Sequence, residues 1–135
     1  MANMLLLFGF SWMVVSAIIG LLLAKRHEAT VEDLGVIAAR GDLAEYHRVE
    51  VEYKWKKLVH VHAFLFSVVA VCIGLALGRM NYPAAVQEGL AAALMLATVV
   101  WTLGTMRLNR PLMAIGDLAM LASIVVAAVG MFRAL

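Results

Sequence analysis

"KWKKLVHVHAFLFSVVAVCIGLALG", residues 54–78, is the stretch whose reading decides the fold. Three lysines and a tryptophan lead into 21 residues, 58–78, that carry no Asp, Glu, Lys or Arg. A helix needs about 20 apolar residues to cross a hydrocarbon core of about 30 Å. The run therefore reads as a membrane-spanning helix with its basic flank held at the boundary, where Tyr53 and Trp55 suit the interface. Two histidines stand just inside that boundary.

Three further stretches read the same way. They are residues 4–24, 84–106 and 111–132, and they give an all-α, single-domain bundle of four transmembrane helices over residues 1–135. Composition agrees: 64% of the chain is hydrophobic, 15% is charged, and mean hydropathy is +0.93. Soluble domains are nearer a quarter charged. "MANMLLLFGF" lacks the basic start of a cleavable signal peptide, so the first span is expected to be retained.

Lys and Arg set the orientation. Lys25, Arg26, Arg40, Arg48, Lys54, Lys56 and Lys57 lie between spans one and two, and Arg107 and Arg110 lie between spans three and four. Only Arg79 and Arg133 fall on the other side. Both termini are expected outside a plasma (inner) membrane, with loops 25–57 and 107–110 cytoplasmic. The net charge of +2 follows from this bias and does not indicate a nucleic-acid partner. The expected partners are the lipid bilayer and either further copies of the chain or a larger membrane complex.

The long first loop is expected to be helical. Thr30, three residues before Asp33, resembles an N-cap. Val31, Leu34, Ile37 and Ala38 then form one stripe, predicting a separate amphipathic helix over 31–40. Gly41 suits a helix end, and Asp42 with Glu45 forms a new cap. Glu50 with Lys54, and Glu52 with Lys56, are i,i+4 pairs that support a helix running from Leu43 to about Leu77.

Small residues mark helix contacts in lipid. Ser67, Gly74 and Gly78 share an arc with His60 on span two. Ser16 and Gly20 serve span one, Gly89, Ala93 and Ala97 span three, and Gly116, Ala119, Ser123, Ala127 and Gly130 span four. At about 100° per residue, His62 lies about 200° from His60, beside Phe66, Val69 and Ile73. His60 is thus on the packing face, and His62 on a bulky face turned to lipid or a neighbouring subunit. The two cannot ligate one ion from a regular helix.

Ionisable groups inside a membrane are functional candidates. His60, His62 and Asp117 lie at similar depth, with Met106, Met113 and Met120 nearby. Imidazole is a frequent haem and metal ligand, and thioether is a soft one. His60, with Met106 or Met113, His27, His47 or a second subunit, is the expected ligand for haem b or copper. His62 is an additional ligand candidate. Asp117 is expected to pair with Arg107, Arg110 or Lys57, or to form a proton-linked pair with His60. Cys72, the only cysteine, reads as apolar filler.

No phosphate-binding, dinucleotide, serine-hydrolase or Cys-x-x-Cys motif is present, and no catalytic constellation is recognised. The leading expectation is a small integral or accessory subunit of a membrane redox assembly. The alternatives are a homo-oligomeric proton-linked transporter or channel, and a scaffold that recruits a cytoplasmic partner through residues 30–57.

Overall fold

A computed structural model describes residues 1–134. Four helices, α1 (Ala2–Ala39), α2 (Leu43–Ala76), α3 (Ala84–Met106) and α4 (Arg110–Phe132), account for nearly all of it, with one 3₁₀ turn over Leu77–Arg79. Among the described residues there is no strand. All four helices are long and apolar enough to cross a membrane.

The principal correction concerns the first loop. No separate helix forms over 31–40; α1 runs unbroken through it. Thr30 does not cap a helix, because its hydroxyl donates to the Arg26 carbonyl one turn back, at 2.8 Å. Residues 21–39 are mostly strong helix formers. Leu34 and Ile37 are half-buried on α1, as Tyr46 and Val49 are on α2, while Val31 and Ala38 are exposed. At about 1.5 Å per residue, α1 and α2 are roughly 57 and 51 Å long, against roughly 34 Å for α3 and α4. The first hairpin therefore projects well beyond the second.

The turn that closes this hairpin was legible. Gly41 adopts φ 74°, a left-handed conformation that glycine enters without steric cost. Asp42 then accepts a hydrogen bond from the Glu45 amide at 3.0 Å. Lys54 meets Glu50 at 2.9 Å and Lys56 meets Glu52 at 2.5 Å. At the other end of the bundle, the Tyr82 hydroxyl donates to the Val126 carbonyl at 3.0 Å. Asn109 caps α4 through the Leu112 amide.

Small residues bring the helices together. A Cβ placed on Gly116 would lie 2.5 Å from the Trp101 Cβ and 2.8 Å from its Cα, so α4 touches the backbone of α3. Gly9 meets the backbone of α2 at Ser67 and Val71, and Gly74 meets Leu6. Gly78 and Gly89 touch nothing within 4 Å and take no part in these crossings. The buried face of α3 is instead Leu90, Leu94, Ala97, Thr98, Trp101 and Thr105. Its threonine hydroxyls bond to carbonyls one turn back, at 2.7–2.9 Å, which leaves no buried hydroxyl unsatisfied there.

Candidate functional site

His60 lies on the seam between α1 and α2, held at both ends of its residue by Ser16. Its Nδ1 is 2.8 Å from the Ser16 carbonyl oxygen. A carbonyl can only accept, so Nδ1 carries the proton and Nε2 keeps a free lone pair. In return the Ser16 hydroxyl donates to the His60 carbonyl at 2.8 Å. Gly20 makes room for the ring: a Cβ there would sit 2.6 Å from His60 Cε1 and 2.7 Å from Nδ1.

The half-buried ring borders an open groove of about 440 Å³ between α1 and α2, also lined by Gly20, Leu23, His27, Tyr53, Lys57 and Val61. Its volume falls in the range of about 300–1,000 Å³ usual for small-molecule sites. At its outer end His27 Nδ1 is hydrogen-bonded to the Tyr53 hydroxyl, and Lys57 Nζ lies 4.3 Å from the Tyr53 ring centroid. Seven residues separate Tyr53 from His60, about 10 Å along the helix, so His27 and His60 occupy different levels of the groove.

The remaining ligand candidates are dispersed. His62 faces away from His60, as its azimuth requires, but not toward lipid or a second subunit alone. It stacks on Trp101 of α3, with centroids 4.7 Å apart, and meets Phe66 edge-on at 6.0 Å. Its Nδ1–H donates to the Leu58 carbonyl at 3.2 Å. Met106 is 56% exposed and borders a different groove, of about 250 Å³, together with Val59 and Arg26. Met113 is buried in the core and, with Trp55 and Arg110, lines a cleft between α2 and α4. Neither methionine shares the His60 groove. Among the described residues no group of three or more His, Cys, Asp or Glu side chains could hold a metal ion.

Asp117 is exposed on α4. Among the described residues it forms no ion pair, so the expected partnership with Arg107, Arg110 or Lys57 is absent. It lines none of the grooves that His60 lines. Outside the apolar stretches, hydrogen bonds from Lys54 and Lys56 hold the Glu50 and Glu52 carboxyls below the usual glutamate range.

Sequence reasoning overlooked Trp101 and Gly9. Trp101 is the hub of an aromatic cluster with His62 and Phe66, and its buried indole N–H has no acceptor among the described residues. The Thr98, Thr102 and Thr105 series around it was the available signal for a buried face. Comparisons of the chain with protein-family profiles, with curated proteins and with solved structures give no match.

Proposed function

We propose that the four apolar helices cross a membrane and that the chain is a small subunit of a redox assembly, in which His60 ligates haem iron or copper through Nε2. The membrane setting is supported by four spans of sufficient length. The excess of Lys and Arg over residues 25–57 and at 107–110 supports a cytoplasmic location for those segments.

The ligand role is carried by one observation: the His60 Nδ1–H is fixed on a backbone carbonyl while the ring borders a groove. Ligating histidines are held in this manner, with the second nitrogen donating to a carbonyl or carboxylate that sets tautomer and ring angle. One imidazole is one ligand. The others come from a neighbouring chain or a second copy, which matches a subunit role rather than a self-contained carrier. Proton-linked transport through His60 with Asp117 has less support, because the two face different parts of the bundle.

The test is an absorption spectrum, oxidised and reduced, with metal analysis of protein extracted in mild detergent from haem- and copper-replete cells. Wild type and His62→Ala should carry a Soret band or a near-stoichiometric metal, and His60→Ala should lose it. Colourless, metal-free wild-type protein in the native membrane would refute the ligand role.

A further inference from the structure

Asp117 stands seven residues into α4 from Arg110, about 10 Å along the axis. In the membrane setting proposed above, that depth is inside the hydrocarbon layer, where a carboxylate without a partner is costly. Nothing in this chain answers it: the side chain is exposed and unpaired among the described residues.

Its surroundings form a seat. At about 100° per residue, Asp117 shares its azimuth on α4 with Met113 and Ile124. Met113 borders the cleft between α2 and α4 at the Arg110 end. Ile124 borders a second groove between the same two helices, of about 330 Å³, with Val69, Cys72 and Ile73 opposite. The α2–α4 seam is thus open on both sides of Asp117's level: the groove at Ile124 is almost wholly apolar, and the cleft at Met113 carries Arg110 at its shallow end. An open apolar seam of this kind fits a helix, and the carboxylate fits a cation on it.

A second copy offers no lysine or arginine at that depth. All eleven Lys and Arg residues lie outside residues 4–24, 58–78, 84–106 and 111–132. The nearest, Arg110, is two helical turns shallower than Asp117. We infer that the α2–α4 seam docks a transmembrane helix of a different protein, which presents a lysine or arginine at the level of Asp117. This inference rests on the membrane setting but not on the ligand role of His60.

The test uses the full chain, fluorescently labelled and reconstituted in phosphatidylcholine vesicles, with synthetic leucine–alanine transmembrane peptides as probes. One peptide carries a single lysine about 10 Å inside the boundary, one carries it in the opposite leaflet, and one has none. Energy transfer should report tighter binding of the matched peptide by about tenfold, the scale of one strong interhelical polar contact in lipid. The preference should vanish in Asp117→Leu. Ile124→Trp, which fills the groove without touching the carboxylate, should weaken binding of the matched peptide. Equal binding of all three peptides overturns the inference, as does insensitivity to Ile124→Trp. Self-association that Asp117→Leu abolishes also overturns it, in favour of a second copy. Chain that alkaline carbonate strips from the vesicles refutes the membrane setting instead, which separates the two failures.

Discussion

Gly20→Ala tests the geometry of His60 most directly. The added methyl would lie 2.6 Å from His60 Cε1 and 2.7 Å from Nδ1, whereas carbon atoms rest at about 3.5–4.0 Å. The ring must retreat by about 1 Å. Its Nδ1 to Ser16 carbonyl distance is now 2.8 Å, so the same movement stretches the bond beyond the roughly 3.2 Å limit of a good N–H···O contact. Losing that bond costs about 1–3 kcal/mol if the groups stay unsatisfied. Replacing glycine by alanine inside a helix returns about 1 kcal/mol. The net effect is a loss of about 0–2 kcal/mol, which alone is hard to read. Gly35 provides the reference, because it is also inside α1 and has nothing within 4 Å. Gly35→Ala should gain about 1 kcal/mol, placing the two variants about 1–3 kcal/mol apart. Thermal unfolding in one detergent measures that gap. Nitrogen-15 NMR of the histidines shows whether the His60 Nδ1–H resonance moves. Equal stabilisation by both alanines, with that resonance unchanged, would refute the assigned ring position and tautomer.

Two other perturbations follow from the packing and from the hairpin tip. In Gly116→Ala the new methyl meets Trp101 at its Cβ, Cα and backbone nitrogen, atoms that cannot swing aside, so stability should fall by about 1–3 kcal/mol. Gly89→Ala, facing open space, should instead gain about 1 kcal/mol in the same unfolding assay. The Glu50 and Glu52 carboxyls titrate below their ordinary range because Lys54 and Lys56 hydrogen-bond to them. A depressed folded pKa stabilises above the unfolded value, about 4.3, and that contribution disappears as pH falls through the folded value. Amide exchange over residues 43–57, corrected for intrinsic rates, should therefore accelerate at pH 3 relative to pH 6. Salt at about 1 M should produce part of the same change at pH 6, since both pairs are exposed to screening.

The sequence showed how far each helix runs only where chemistry stops it. Gly41 with its positive φ and the Asp42 cap end one helix and begin the next as expected. Thr30 misled because a threonine before an acid can cap a helix or bond one turn back, and only tertiary packing selects between them. The same limit governs the site. The opposition of His60 and His62 is a property of one helix and was readable from spacing alone. What each ring meets is a property of two helices. Small-residue stripes marked Gly20 and Gly116 as contact points, yet they did not say that one receives an imidazole and the other the backbone beside Trp101. Depth could be counted along the chain, so His60, Met106 and Met113 looked like neighbours. The packing of three different helices then sends them to three separate grooves. Asp117 differs from all of these, because every partner named for it from sequence is missing from the structure. A charged side chain within a membrane span is costly when it has no partner. Among the described residues Asp117 has no ion pair, and in the proposed membrane setting a larger assembly would answer this carboxylate as well as complete the proposed His60 site.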